Sequence, residues 1–193
     1  MFVKTHVESE EIAYVWADDS TNPSYEPDPT YTFNPVLSVV FDKAHIDRLG
    51  TGLYDIQFTD LDTVGESKGH VQVSAYGTIP AHCKLESWTD DSARVQCRNL
   101  FGIPTDSRFN LLFVKQETER ENLSYGWVDD AVASNGIISA NSSTGPGGSI
   151  IWHRVATGDY DLEFTHLDDY GVDGGTVQVT AYGTDDAWCK IES

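Results

Sequence analysis

The stretch "TGLYDIQF", residues 51–58, decides the fold class. Its large apolar side chains, Tyr54, Ile56 and Phe58, alternate with polar ones, and a period of two is typical of a β-strand with one buried face. The Thr-Gly pair before them favours a tight turn leading into this strand. "VQVSAY", residues 71–76, alternates in the same way. Both stretches predict antiparallel strands.

The same alternation extends outward from this stretch, interrupted by Gly, Pro and Asp. The strands predicted in the first part of the chain are 11–17, 44–49, 53–59, 70–76, 82–87, 93–98 and 108–115. Seven short strands with no helical periodicity are typical of a β-sandwich of immunoglobulin-like size. We therefore predict an all-β fold.

Most of this pattern occurs twice in the 193 residues. Residues 2–19 align without gaps with 113–130, at an offset of 111. Residues 51–87 align with 157–193 at an offset of 106, and about 22 of the 37 positions are identical. A period of about 108 residues is too long for a solenoid repeat and predicts tandem domains.

These alignments predict two tandem immunoglobulin-like-sized β-sandwich domains, the second incomplete. Residues 11–115 form the complete repeat, 116–193 form a repeat that lacks its last strands, and 1–10 are the terminal strand of a preceding unit or a linker. The chain then corresponds to a window cut from a longer array. "FVK" at 2–4 matches 113–115, so it either pairs with the open edge of the second repeat or extends the first strand.

The charge of the chain restricts its partners. With 31 acidic and 12 basic residues, the formal net charge is −19. Such a surface repels phosphate backbones and anionic lipids, so we expect no nucleic-acid partner. No apolar run approaches the ~20 residues that span a bilayer, so we expect no membrane insertion. Polar residues near the start exclude a signal peptide, which indicates a mature piece if the protein is exported.

The cysteines predict one structural disulfide. Cys83 and Cys97 lie on neighbouring predicted strands, and a bridge between them would contribute roughly 3 kcal/mol. Cys189 aligns with Cys83 and has no aligned partner in the chain. No Cys-x-x-Cys pair is present, so a zinc site is not expected. A disulfide indicates an oxidising compartment, and we expect a secreted or cell-surface protein.

The first repeat as a whole resembles a known unit. The strings that carry the resemblance are "YVWADD" (14–19), "TGLYDIQFTDL" (51–61), "GHVQVSAYG" (69–77), "CKLESW" (83–88) and "TDSRFNLLFV" (105–114). Together they resemble a repeat of secreted bacterial proteins of unknown function. Cys97 is followed by Arg98 here, where that family has phenylalanine. The resemblance covers most of both repeats and implies export and a β fold, without catalytic residues.

An acidic loop of the second repeat, "LDDYGVDGG", is a candidate calcium site. Asp168, Asp169 and Asp173 could converge as hard oxygen ligands, with glycines permitting tight turns between them. The alternative is a plain solvated turn, because Asp and Gly are common turn residues. The aligned loop of the first repeat retains only Asp62 and Glu66. No other cofactor is expected.

Aromatic residues provide a candidate binding site. Tyr76 and Tyr182 occupy aligned positions, one step out of phase with the buried residues of their strands. Exposed tyrosines beside carboxylates can stack on sugar rings, which makes these two a candidate glycan site. The alternative is that each packs under a loop or at a joint between domains. Trp16 and Trp127 are predicted to be core residues, because a sandwich commonly buries one tryptophan.

No pattern in the chain predicts an enzyme. Gly-x-Ser-x-Gly, a phosphate-binding glycine loop and His-Glu-x-x-His are absent from the sequence, and the six histidines do not recur between repeats. We expect a non-catalytic extracellular binding or adhesion module in a tandem array, with surface glycans as partners. The alternative is a structural subunit of a surface layer or fibre, assembled with other copies of the protein by strand complementation.

Overall fold

The computed structural model describes residues 12–36, 43–63, 69–114, 124–138, 148–165 and 177–192. These residues form strands in three antiparallel sheets and a single turn of 3-10 helix, so the predicted all-β fold is confirmed. The chain divides into two compact units, one of Met1–Glu117 with Val177–Ser193 and one of Thr118–Thr176. In the described part of the chain, no helix is long and apolar enough to cross a membrane.

The first unit contains all seven strands that the alternation predicts, and one short strand besides. In chain order the strands are β1 (Ile12–Ala17), β2 (Ser24–Tyr25), β3 (Ala44–Gly50), β4 (Leu53–Phe58), β5 (His70–Tyr76), β6 (Ala81–Trp88), β7 (Ser92–Asn99) and β8 (Arg108–Val114). The 3-10 turn, Leu61–Thr63, follows β4. One sheet has the order β1-β8-β5, and the other has the order β2-β3-β4-β7-β6.

The core of the first unit lies between these two sheets. Strands β1, β3, β4 and β5 bury alternate residues, as β4 does with Tyr54, Ile56 and Phe58. Tyr54 contacts Phe109 of the facing sheet with ring centroids 5.2 Å apart, and Phe58 contacts Phe113 at 6.1 Å. Burial of such large side chains contributes about 1.5–3 kcal/mol each. The side chains that the period-two pattern places in the core therefore stabilise the packing of the two sheets.

The turn between β3 and β4 requires glycine. Gly52 has a φ of +67°, and a Cβ built there would lie 2.3 Å from the carbonyl oxygen of Cys97. The backbone approaches this closely because the Cys97 N–H donates to the Gly52 carbonyl at 2.7 Å. Any side chain would break this contact, which explains the Thr-Gly pair.

The predicted disulfide is confirmed. Cys83 on β6 and Cys97 on β7 lie directly opposite each other in the antiparallel register, with their Cα atoms 4.1 Å apart. Cys189 is a free, exposed thiol. The bridge thus links the outermost strand of the larger sheet to its neighbour.

The sheet of the second unit corresponds to strands β2, β3 and β4 of the first. Its strands β9 (Asn135–Ile138), β10 (Ile150–Ala156) and β11 (Asp159–Phe164) form a sheet in the order β11-β10-β9. The pairing His153↔Asn135 has the register of Asp47↔Ser24 in the first unit. A small core of Ile138, Ile150 and Trp152 covers one face of this sheet.

The stretch of the second repeat that aligns with β5 differs from it in structure. Residues 177–181 alternate as β5 does, yet they form no strand, and Tyr182 instead makes an isolated parallel bridge to Leu85 of the first unit. The physical reason is pairing: β5 obtains its ladder from β8, and the described residues of the second unit offer no equivalent of β8. Alternation indicates which face is buried, but a strand also needs a neighbour.

Candidate functional site

Three aromatic side chains cluster on the outer face of the β1-β8-β5 sheet, which we call the aromatic face: the exposed Trp16 and Tyr31 and the half-buried Tyr76. The rings of Trp16 and Tyr31 stack with centroids 5.1 Å apart and planes 15° apart. Tyr76 lies 5.6 Å from Trp16 at a tilt of 40°. Trp16 is 46% exposed and Tyr31 51% exposed. Large exposed aromatic clusters are uncommon on monomeric proteins and mark sites of interaction.

The alternation of β1 places Trp16 on this face. Ala13, Val15 and Ala17 point into the core, so Trp16 between them points outward. The expectation that Trp16 belongs to the core is therefore wrong, because the inward positions of β1 hold small residues instead. Its aligned counterpart Trp127 is half-buried.

Tyr31 reaches the aromatic face through a backbone bridge. The N–H and carbonyl groups of Tyr14 and Phe33 exchange two hydrogen bonds of 2.9 Å, which extends the sheet beyond β1. Two residues back along that segment, Tyr31 falls opposite Trp16. The second stacked pair, Tyr14 with Phe33 at 5.7 Å, continues the aromatic row along the sheet. The sequence predicted no strand in this segment, and its alternation is reversed, because Thr32 and Asn34 are buried while Tyr31 is exposed; sequence reasoning therefore missed Tyr31 and Phe33.

Polar side chains flank the aromatic face. The register places Asn110 between Trp16 and Ser74, and Arg108 opposite Tyr76. Asn110, Ser74 and Arg108 are all exposed. Directly opposed residues on one face lie about 5 Å apart, so these groups are within reach of a ligand that stacks on Trp16.

Tyr76 is held as a neutral phenol. Burial of its ring, and then the negative charge of Asp18, raise the pKa of Tyr76 above its usual value. Its hydroxyl donates to the carbonyl oxygen of Ala17 at 3.5 Å, a long hydrogen bond. The hydroxyl therefore remains available as a donor or acceptor at the edge of the aromatic face.

Tyr182, the other predicted binding residue, lies elsewhere in the first unit. It packs against the core and meets Trp88 edge-on, with centroids 5.5 Å apart. The structure therefore does not bring Tyr76 and Tyr182 together, and only Tyr76 belongs to the aromatic face.

A partly buried polar cluster joins two of the quoted strings, "TGLYDIQFTDL" and "TDSRFNLLFV". The Asp106 carboxylate accepts hydrogen bonds from Arg48 Nε and Nη2 at 3.0 and 2.8 Å, and from the Gly52 N–H at 2.8 Å. The Tyr54 hydroxyl donates to the Ser20 carbonyl oxygen at 3.0 Å and lies 3.1 Å from Asp106. Burial by itself raises the pKa of Asp106, but these donors outweigh it and hold the pKa below its usual range. The cluster ties "TGLY" to "DSRF" and is structural.

Ser24, His45 and Asp47 form a second polar cluster, on the surface of β2 and β3. The Ser24 hydroxyl lies 2.8 Å from His45 Nε2, and an Asp47 oxygen lies 3.2 Å from the same nitrogen. In a catalytic triad the carboxylate holds the opposite ring nitrogen, which fixes the tautomer of the base. Here both partners share Nε2, so the geometry differs from that of an activated serine.

The candidate calcium ligands Asp168, Asp169 and Asp173 lie outside the described residues. Within the described ranges, no group of three or more His, Cys, Asp or Glu side chains is placed to hold a metal ion. Another acidic residue of the second repeat, Asp130, accepts the N–H groups of Val132 and Ala133 at 3.0 and 3.1 Å. That is the hydrogen bonding of a turn.

Comparisons of the chain with protein-family models, curated proteins and solved structures return no match. The aromatic face and the polar groups around it are therefore the basis for assigning a function.

Proposed function

We propose that this protein is a non-catalytic extracellular module that binds carbohydrate on its aromatic face. The observation that carries the proposal is the exposed stack of Trp16 on Tyr31 with Tyr76 beside it. A sugar ring presents C–H groups on its faces and hydroxyls around its rim. The flat aromatic surface covers the C–H groups, and the sugar hydroxyls form hydrogen bonds with the exposed Asn110, Ser74 and Arg108.

The rigidity of the aromatic face favours binding over accidental exposure. The three rings lie on strands or beside them and contact one another, so little conformational entropy is lost when a ligand stacks there. An exposed leucine or lysine would have to be ordered first. The cluster is therefore preorganised for a partner that presents a flat apolar face, such as the C–H face of a sugar ring.

The charge of the protein selects among glycans. A net charge of −19 repels sulfated and uronic-acid polymers. The proposed ligands are thus neutral or amino sugars. Secretion, which the Cys83–Cys97 disulfide supports, would bring the module to such polymers. In a tandem array, weak single sites would add by avidity.

A glycan array followed by titration calorimetry tests this proposal. We expect binding to neutral or amino-sugar oligomers, weakened at least about tenfold by Trp16→Ala, which corresponds to the ~1.4 kcal/mol of one stacked ring. Phe101→Ala is the matched control, since Phe101 is 87% exposed and lies outside the aromatic face. Absence of any glycan ligand, or unchanged binding by Trp16→Ala, would contradict the proposal.

A further inference from the structure

The first unit has a seam where the edges of its two sheets meet. β5 is the outermost strand of one sheet and β6 the outermost strand of the other. Residues 180–185 of the same unit lie along this seam. The Leu85 N–H donates to the Ala181 carbonyl at 3.3 Å, and the Gly183 N–H donates to the Leu85 carbonyl at 2.9 Å. This is parallel β-pairing on an edge strand.

The seam also recognises the side chains of that segment. The ring of Tyr182 packs against the core and against Trp88. On the other side of the seam, the Val73 N–H of β5 donates to the Thr180 hydroxyl at 3.4 Å. The segment therefore contacts the edges of both sheets.

A buried cation determines which strand fits. Lys84 is only 2% exposed, and its ammonium donates to the Asp185 carboxylate and, at 3.3 Å, to the Asp185 carbonyl. The buried Gln96 amide donates to the Gly183 carbonyl. A buried ammonium is costly unless it is paired, so the seam favours a strand that brings a carboxylate to Lys84.

The docking site and the strand that docks in it come from different repeats. Asp185 aligns with Ile79, so the first repeat has no carboxylate at the donor position. Lys84 aligns with Lys190, which is exposed and pairs with Glu192. The first repeat thus supplies the docking site, and the second repeat supplies the acidic strand that binds there.

We infer that the seam between β5 and β6 is a strand-docking site, that "TAYGTD" at residues 180–185 is its ligand, and that a second copy of this chain can supply it. The docked segment is separated along the chain from the rest of the first unit by Thr118–Thr176, which forms a compact unit of its own. The hydrogen bonds described between residues 180–185 and the rest of the first unit go to β5, β6 and β7, so another molecule's segment can make the same ones. Reciprocal exchange would give a closed dimer, and one-way donation would give an open chain.

A peptide experiment on the full chain tests the acceptor. Tyr182→Ser with Asp185→Lys removes the donor's two anchors without changing the seam, and far-UV circular dichroism checks that the sheets persist. We expect a fluorescent peptide of residues 177–192, with Cys189→Ser, to bind this variant at least tenfold more tightly than the wild type, whose seam is occupied. The same peptide carrying Asp185→Lys is the control and should bind at least tenfold more weakly. Equal binding of the two peptides, or no binding, would overturn the docking site.

Exchange of the segment between two copies of the chain is measured by light scattering over a concentration series. The protein is first mildly unfolded and then refolded at high concentration. We expect wild-type protein to form dimers or longer chains, Asp185→Lys to remain monomeric, and Trp16→Ala to assemble as the wild type does. A wild-type protein that stays monomeric would overturn exchange between copies. Trp16 takes part in none of the described contacts that hold residues 180–185, so failure of glycan binding would leave this result unaffected.

Discussion

Two strands with nearly the same sequence, β4 ("LYDIQF") and β11 ("DYDLEF"), end in different surroundings. Each pairs with the preceding strand in the same register, and in each pair the register shifts at the same place. Ile56 of β4 is 0% exposed, while the aligned Leu162 of β11 is 47% exposed. Ile56 is covered by the β1-β8-β5 sheet, and Leu162 has no such cover among the described residues of its unit. Local pattern thus specifies the hairpin, whereas burial depends on a sheet far away in sequence.

The same contrast holds for a polar pair. Arg48 donates to Asp106, whereas the aligned Arg154 contacts Thr157 at 3.0 Å and, within the described part of the chain, its buried Nε has no hydrogen-bond partner. The nearby tyrosine contact is kept in both units: Tyr54 donates to the Ser20 carbonyl and Tyr160 to the aligned Ala131 carbonyl. Among its described residues, the second unit therefore keeps the tyrosine contact of the cluster. It lacks the carboxylate that Asp106 supplies in the first unit.

Truncation of the aligned Ile56 and Leu162 side chains should give the largest difference in the free energy of unfolding. We expect Ile56→Ala to lower the free energy of unfolding by about 4 kcal/mol, because it leaves a cavity in a closed core. Leu162→Ala should change it by less than about 0.5 kcal/mol, because an exposed side chain leaves no cavity. Urea denaturation followed by tryptophan fluorescence measures both. Similar losses for the two variants would mean that Leu162 is buried in solution.

Removing the disulfide should have the next largest effect. We expect Cys83→Ser with Cys97→Ser to lower the free energy of unfolding by about 3 kcal/mol, as loss of a short closed loop in the unfolded chain implies. Cys189→Ser, at the position aligned with Cys83, is the matched control and should leave stability unchanged. Peptide mapping under non-reducing conditions should find Cys83 joined to Cys97, and a Cys83–Cys189 link would refute the pairing.

Neutralising the partly buried carboxylate of Asp106 should lower the free energy of unfolding somewhat less. Asp106→Asn keeps the shape but leaves Arg48 without its counter-charge, and we expect a loss of about 2 kcal/mol. Arg154→Gln, in the cluster that lacks the carboxylate, should be neutral within about 0.5 kcal/mol. Thermal melts of both variants make the comparison. A loss for Arg154→Gln as large as that for Asp106→Asn would show that Arg154 has a partner in solution.

The sequence predicted the parts of the structure that depend on neighbouring residues or on paired spacing. The strands of the first repeat, the Thr-Gly turn and the Cys83–Cys97 bridge all follow from alternation, turn chemistry and cysteine placement. It did not predict the exposure of Trp16, because the inward positions of β1 can be filled by alanine and valine as well as by an aromatic residue.

Features that depend on tertiary pairing were missed for a common reason. Tyr31 joins the aromatic face through a bridge to β1, and Asp106 meets Arg48 across more than fifty residues. No single-sequence period links such positions. Asp106 lies within the quoted string "TDSRFNLLFV", but the sequence assigned it no role, and its partners became visible only when the strands were placed.

A histidine present in only one repeat should give the smallest effect. Burial lowers the pKa of His70 to about 4. The unfolded chain binds this proton near pH 6.5 and the folded protein does not, so stability is complete above pH 6.5 and falls as the pH decreases toward 4. We expect the loss from pH 6.5 to 5 to be about 1 kcal/mol, below the full linkage value because His70 keeps some solvent contact. His70→Thr, which installs the residue found at the aligned position 176, should flatten the pH dependence in this window while leaving the melting temperature at pH 8 nearly unchanged. Denaturation at several pH values between 4.5 and 8 measures it, and an equal slope in the variant would place the acid-sensitive group elsewhere in the first unit.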